Sequence, residues 1–342
     1  MGSSRGRKKT RAGKPRFYLA AAAVLMVLIV SVIMFSLMED TMEQQVENAG
    51  QQLTAYTKEE STAQVFMNGQ WYEKRDLNTL LVMGIDERGA LTSSNSYNND
   101  NQADFLVLFL TEPESGRVSV IHLNRDTMTD ITVLGVTGEA AGLKRGQLAL
   151  AFNYGRGDHD SSKNTLNTVS RLLYGMEVDH YLTVTMDAVP IMNDWVGGVE
   201  VDVQDDFAGV DETLIKGEKI RLMGQQALTY VRTRKGMEDS SNLKRMERQR
   251  QYAAQWVESA KEKLNDTDAV AKLVVQMDKY HYSDCTLDEL MYFAGALGSA
   301  GQLDMYELPG EATQGETFME YYVDEDAVQD LILQLFYRPV NR

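Results

Sequence analysis

Asn78-Thr-Leu-Leu-Val-Met-Gly-Ile-Asp86 is an apolar run, without polar alternation, that ends in a glycine, an isoleucine and a carboxylate. A run of this kind reads as a strand buried on both faces, because alternation arises only where one face meets water. Beyond a loop from Arg88 to Asn101, dense in Ser, Asn and Gly, come Asp104-Phe-Leu-Val-Leu-Phe-Leu-Thr111 and Arg117-Val-Ser-Val-Ile-His-Leu-Asn124. Pro113-Glu-Ser-Gly116 between these two is a turn, so they are predicted to form an antiparallel hairpin. If the first strand runs alongside the third, Asp86, Asp104 and the Arg125-Asp126 pair gather at one edge of the sheet. Open α/β sheets bind ligands at such an edge. A charge that caps one strand needs no function, but three converging on one edge predict a site.

Downstream, periodicity predicts a helix over Asn164–Tyr174 and a strand over Val178–Met186. A short helix over Asp187–Val196 follows, interrupted by Pro190, then strands at 199–203 and Lys219–Leu222. A helix over Gly224–Val231 delivers Arg232 and Arg234. Asp239, Ser240 and Ser241 offer caps for a long helix to Leu264, with Met246, Ala253, Val257, Ala260 and Leu264 as its buried stripe. Helices near Asp268–Tyr280 and Leu287–Leu297, a strand at Met305–Leu308 and a last helix at Glu325–Phe336 complete the pattern. The class is α/β: one domain over residues 78–342, with a central mixed sheet flanked by helices.

Charge singles out one segment. Between residues 232 and 250, seven Lys or Arg stand against three Asp or Glu, in a chain of 342 residues with formal net charge −16. Fixed cations concentrated against the prevailing field imply a bound anion. Arg245, Arg248 and Gln249 lie three and four apart in the first turns of the long helix, close enough to project toward one ligand. The N-terminus of that helix also favours negative charge.

Upstream, residues 1–16 hold seven Lys or Arg and no acid, and the 22 residues from Phe17 to Met38 carry no charge. That length spans a hydrocarbon core of roughly 30 Å. A cleaved signal peptide would be shorter and would end in small residues, whereas this run ends in Phe-Ser-Leu-Met-Glu-Asp. Residues 17–38 are therefore expected to be a retained transmembrane signal anchor, with 1–16 a cytoplasmic tail. By the positive-inside rule, residues 39–77 form an extracellular stalk and the domain lies outside a cell membrane crossed once. Removing seven cytoplasmic positives from −16 leaves −23 outside, which excludes nucleic acid as a partner. Cys285 is the single cysteine; it can form no intramolecular disulfide and reads as a small buried hydrophobe. His122, His159, His180 and His281 are scattered without metal-ligand spacing.

Taken in order, Gly-Ile-Asp at 84–86, the Asp104 strand, Arg125-Asp126-Thr127, Gly197-Gly198-Val199, Tyr-Val-Arg-Thr-Arg at 230–234 and Arg245-Met-Glu-Arg-Gln249 resemble the ordered motifs of the LytR-CpsA-Psr family. The resemblance covers roughly residues 76–340 and implies a Mg²⁺-dependent phosphotransferase on the outer face of the membrane. Such an enzyme takes a glycopolymer, a teichoic acid or capsule, from a polyprenyl-pyrophosphate carrier and joins it through a phosphodiester to peptidoglycan. An apolar groove would hold the prenyl tail. By the same resemblance, Asp86 and Asp104 match metal ligands, and Arg125, Arg232, Arg234, Arg245 and Gln249 match pyrophosphate ligands. Asp126 is a candidate base by its place beside Arg125. Phosphoryl transfer needs mainly positioning and charge neutralisation, which a metal on oxygen ligands and forked guanidiniums supply.

Three positions depart from the family pattern. Gln102 stands where an Arg is frequent, Gln147 where a Lys is frequent, and Asn242 where an Asp is common. Gln102 and Gln147 fall among the expected substrate-binding residues, so two cations are missing beside the expected pyrophosphate. Two other functions are therefore in play: a lipid-pyrophosphate binding or regulatory protein without efficient transfer, and a hydrolase acting on the same ligand.

Overall fold

The computed structural model describes residues 64–340 apart from 68, 234–241 and 302. The expected anchor at 17–38 and the caps Asp239 to Ser241 lie outside the described residues. Among those described, no helix is long and apolar enough to cross a membrane. The first elements are β1 (Val65–Met67) and β2 (Gln70–Lys74), an antiparallel pair to which β15 (Tyr337–Pro339) adds at Tyr72–Lys74. These strands fall inside the stretch 39–77 read from sequence as a stalk. They belong instead to the compact unit Val65–Arg342, where β2 pairs with β1 on one side and β15 on the other, which satisfies its backbone groups.

The three apolar runs form β3 (Asn78–Ile85), β4 (Ala103–Glu112) and β5 (Arg117–Leu123). Then come the hairpin β6 (Met128–Leu134) and β7 (Ala140–Gln147), the strand β8 (His180–Thr185) and the pair β9 (Val199–Asp202) and β10 (Lys219–Leu222). β11 (His281–Ser283), β12 (Asp304–Glu307) and the hairpin β13 (Gly310–Gln314) and β14 (Met319–Val323) follow. Six strands make the central sheet, in the order β11-β8-β3-β4-β5-β12. β4 runs antiparallel to both β3 and β5, while β8 is parallel to β3 and β12 parallel to β5. The ends of β3 and β5 and the start of β4 therefore share one edge, as the sequence predicts.

The helices are α1 (His159–Leu172), α2 (Ala188–Trp195), α3 (Gln225–Arg232), α4 (Asn242–Leu264), α5 (Thr267–Met277), α6 (Leu287–Ser299) and α7 (Glu325–Phe336). α1 starts five residues before the predicted Asn164, because the Asp158 carboxylate caps it by accepting from Asp160 N–H. Pro190 does not interrupt α2. It sits in the first turn, where the missing N–H has no intrahelical partner to lose.

Strand alternation divides the sheet's two faces. Leu81, Met83, Leu106, Leu108, Ile121 and Leu123 point to one side and pack with Val169 of α1 and Val328, Ile332 and Phe336 of α7. Leu80, Val82, Val107, Phe109 and His122 point to the other, where α4, α5 and α6 cover them without filling the space. One face is a solid core; the other roofs a cavity.

Candidate active site

The predicted convergence at the sheet edge depends on a backbone irregularity. Gly84 pairs with Phe105 and Ile85 with Ala103, so Asp104 is an extra residue with no partner across the ladder. Such a bulge re-aims a side chain, and here it turns Asp104 toward the helices. Gly84 permits the close approach, since a Cβ there would stand 3.1 Å from Phe105 Cβ.

Asp104 is shared by two guanidiniums. Arg125 Nη1 donates to Oδ1, and Arg245 Nη1 to Oδ2 at 3.2 Å. Arg125 Nη2 donates to Gln102 Oε1 at 2.5 Å, and its Nε lies 3.4 Å from Asp126 Oδ1. Gln102 N–H in turn donates to Asp86 Oδ1 at 2.7 Å. Burial raises the Asp86 pKa above the usual carboxylate range and the Asp104 charge adds to it, against the Gln102 N–H and Arg125, which lower it. Asp86, Gln102, Asp104, Arg125 and Arg245 thus form one connected patch.

Gln102 and Gln147 act as struts. Gln102 orients Arg125. Gln147, buried at the end of β7, donates through Nε2 to Asp126 Oδ1 at 2.9 Å and to Met319 O at 2.8 Å. Asp126, also buried, is thereby held as an acceptor beside Arg125, a positioning place rather than that of an open base. Asn242 also has a role that an Asp could not fill. Its Nδ2 donates to Asn124 Oδ1 at 2.8 Å while its Oδ1 accepts from Arg245 Nη2 at 2.6 Å, locking the first turn of α4 to the end of β5.

The predicted basic set separates on α4. Arg245 and Gln249, four apart, both reach the cavity, but Arg248 does not. Its Nε donates to Tyr230 O at 3.1 Å, Nη1 to Asp205 Oδ2 at 2.5 Å and Nη2 to Thr233 O, and its charge lies over the Phe207 ring at 5.6 Å. Those partners commit Arg248 to holding α4 against the end of α3, because three residues forward and four forward fall on opposite flanks of Arg245. Arg232, exposed at the end of α3, lines the cavity; Arg234 lies outside the described residues.

Behind this charged mouth the cavity encloses about 350 Å³ between the sheet and α4, α5 and α6. Its wall is almost entirely aliphatic and aromatic, from Leu80 and Val107 to Trp256, Leu273, Phe293 and Leu297. Two polar groups near the mouth escape sequence reasoning. His122 is buried against Phe105, with ring centroids 5.3 Å apart, and its Nδ1 has no hydrogen-bond partner. Burial first, then the charges of Arg250 and Arg245, push its pKa down to about 3, so the ring is neutral. Arg250, paired with Glu307, is itself lowered by burial. No local signal marks His122, since a histidine in an apolar strand looks like ordinary sequence, whereas Arg250 closes the basic segment at 232–250 but lies beyond the matched motif.

Charged groups of a mixed α/β sheet and its helices, Asp104, Arg232, Arg245 and Arg250 among them, thus stand at the mouth of an apolar cavity. The chain belongs to the LytR_cpsA_psr family, which it matches over residues 36–336. It is 24% identical over 237 residues to a Halalkalibacterium halodurans protein, covering 69% of this chain and 70% of that one. It is 26% identical over 263 residues to a Bacillus cereus protein, covering 75% and 77%. Both relatives carry the name polyisoprenyl-teichoic acid–peptidoglycan teichoic acid transferase TagU. In fold it is similar to B. subtilis TagV, with a TM-score of 0.59 at 20% identity over 77% of this chain and 96% of the other. It is equally similar to TagT bound to LI-WTA, with a TM-score of 0.58 at 20% identity over 76% and 89%.

Proposed function

We propose that this chain is a phosphotransferase that moves a glycopolymer, a teichoic acid, capsule or similar chain, from a polyprenyl-pyrophosphate carrier to a hydroxyl of peptidoglycan. The observation that carries this reading is the junction of a charged mouth with an apolar cavity. A lipid pyrophosphate has that same division, a doubly phosphorylated head on a hydrocarbon tail. The names of the curated relatives, with their polyisoprenyl carrier and peptidoglycan acceptor, point the same way. Residues 17–38 anchor the chain in the cell membrane with the domain outside, beside the leaflet where such carriers lie.

Arg125, Arg245, Arg232 and Gln249 meet the pyrophosphate oxygens, and Arg234, which lies outside the described residues, is assigned the same role by the family resemblance. Gln102 and Asp126 keep the Arg125 fork aimed, and Asn242 does the same for Arg245. Asp86 and Asp104 would hold Mg²⁺. Two carboxylates close enough for the Asp104 charge to act on Asp86 suit a hard dication that takes one or two carboxylates and completes its shell with phosphate oxygens and water. Bound there, it would neutralise charge on the bridging and leaving oxygens. The acceptor hydroxyl oxygen forms a new P–O bond as the P–O–P bridge breaks, its proton passes to solvent water at the mouth, and polyprenyl phosphate leaves in the cavity. The aliphatic wall keeps water from the lipid side of the bridge.

Native mass spectrometry of the full chain, purified from membranes in mild detergent, tests the ligand class. Co-purified polyprenyl phosphate or pyrophosphate is expected, and lost when Ala253→Trp fills the cavity. A protein that neither carries nor takes up such a lipid would overturn the proposal.

A further inference from the structure

The opposite end of the same sheet carries a second cluster that the transfer site does not use. His180 opens β8, while Asp284 and Cys285 follow β11, its antiparallel neighbour. One donor atom from each of the three side chains lies within 4.8 Å of the others, and no other such group of His, Cys, Asp or Glu occurs among the described residues. His180 pairs with Leu80 in the ladder, whereas Ile85 ends β3 beside Asp86. At about 3.3 Å per residue, the cluster is remote from Asp86. Cys285 is thus half-buried beside two metal-type ligands, rather than the buried small hydrophobe that its sequence suggests.

The surroundings order these groups. His180 Nδ1 is buried and lies 3.6 Å from Asp284 Oδ1. The other ring nitrogen, Nε2, is 3.4 Å from Glu289 Oε1. Glu289 is fixed by the capping box of α6, where its Oε2 accepts from Thr286 N at 2.7 Å and Oγ1 at 2.9 Å. Asp284 Oδ1 accepts from Tyr181 N–H at 2.8 Å, and Cys285 N–H donates to Ser283 Oγ at 3.1 Å. The ligand loop is therefore set before any ion arrives.

We propose that His180 Nδ1, Asp284 and Cys285 Sγ bind a transition-metal dication of the zinc class, with Glu289 orienting the imidazole from behind. Imidazole, thiolate and carboxylate are the donor set of tetrahedral zinc, and magnesium would not choose a thiolate. Bonds of about 2.0–2.3 Å place tetrahedral donors roughly 3.3–3.8 Å apart, which small side-chain movements reach from the present spacing. A carboxylate behind a ligating histidine fixes the tautomer that presents Nδ1 to the metal. Asp284 is exposed, so the fourth position opens to water. α6 begins two residues beyond Cys285, and its Leu290, Phe293 and Leu297 line the apolar cavity. An ion here ties the end of β11 to β8 and holds α6 over the far end of that cavity.

The test uses the full chain in detergent, reduced and stripped with a chelator, then titrated with Co²⁺ and, separately, with Zn²⁺ against a competing chelator. One ion per chain is expected, with a thiolate-to-cobalt charge-transfer band that Cys285→Ser abolishes. Glu289→Gln should weaken Zn²⁺ binding about 10–100-fold, and bound Zn²⁺ should raise the melting temperature of the parent but not of Cys285→Ser. Circular dichroism separates loss of the site from loss of the fold, and Cys285→Ser serves where His180→Ala does not fold. Absence of a thiolate band, or a band unchanged in a folded His180→Ala protein, would overturn the proposal. Mg²⁺ and pyrophosphate binding at the other edge are read independently, so failure here leaves the transferase reading standing.

Discussion

Asp104→Asn removes the carboxylate that two guanidiniums share. Arg125 and Arg245 are only 12% and 5% exposed in their side chains, and Asp104 21%. Stripping one partner from a buried ion pair costs about 3–5 kcal/mol, because the remaining charge stays desolvated and uncompensated. Here the loss is smaller, about 2–3 kcal/mol, since Arg125 keeps Gln102 and Asp126, Arg245 keeps Asn242, and the carboxylate was partly in water. An opposing gain comes from Asp86, which loses a like-charged neighbour, but burial is the larger cause of its raised pKa, so the gain does not cancel the loss. For a domain of this size each kcal/mol moves the melting temperature by roughly 2 °C, so a drop of about 4–6 °C is expected. Scanning fluorimetry with and without inorganic pyrophosphate, free of Mg²⁺, reads the consequence. The anion restores the charge that the arginines lost, so it should stabilise the variant more than the parent. A melting temperature within a degree of the parent, or an equal pyrophosphate shift in both, would refute the shared-carboxylate geometry.

Arg248→Lys should lower stability by about 2 kcal/mol in chemical denaturation, since a lysine cannot reproduce the fork onto Tyr230 O, Asp205 and Thr233 O. In the folded variant, pyrophosphate affinity should fall less than about fivefold, whereas Arg245→Lys should lose at least tenfold by calorimetry. Ala253→Trp should weaken binding of a long-chain polyprenyl phosphate at least about tenfold while leaving inorganic pyrophosphate unchanged, a comparison for equilibrium dialysis. His122 gives a pH signature. Its folded pKa is lowered to about 3 by burial, so between about pH 6.5 and 3 the unfolded chain takes up a proton that the folded chain refuses. Its contribution is therefore present above about pH 6.5 and lost as pH falls, by up to about 1.4 kcal/mol per unit. His122→Leu should flatten the slope of urea stability between about pH 6.5 and 5; equal slopes would contradict a neutral buried ring.

The strands that carry the site were legible because burial on both faces writes a continuous apolar run, as in β3 and β4, and because a short turn between β4 and β5 forces them antiparallel. Asp104 and Arg125 then share an edge, and Asp86 joins them on the condition, met in the structure, that β3 runs in the same direction as β5. What escaped had no such local mark. β7, Ala-Ala-Gly-Leu-Lys-Arg-Gly-Gln, is mostly exposed and held by its ladder to β6 rather than by burial, so neither period shows. Gln147 could not be seen as a strut without that hairpin and Met319 beside it. Arg248 shares its motif with Arg245 and Gln249, and only the direction of the helix face separates anchor from ligand. The cavity was expected only from the family resemblance and has no mark in the residue pattern, because Val82 and Val107 alternate on the hollow face as Leu81 and Leu108 do on the packed one. His180 and Cys285 meet only through the pairing of β8 with β11, and neither residue is near the other along the chain.

Transfer itself can be followed in one reaction. The full chain in detergent with Mg²⁺ is mixed with a polyprenyl-pyrophosphate-linked glycan and peptidoglycan oligomers, and the products are resolved by mass spectrometry, with Arg234→Ala as control. Glycan joined to peptidoglycan through a phosphodiester, with polyprenyl phosphate released and neither formed by the control, is the expected result. Free glycan phosphate alone, or tight lipid binding with no product, would contradict it.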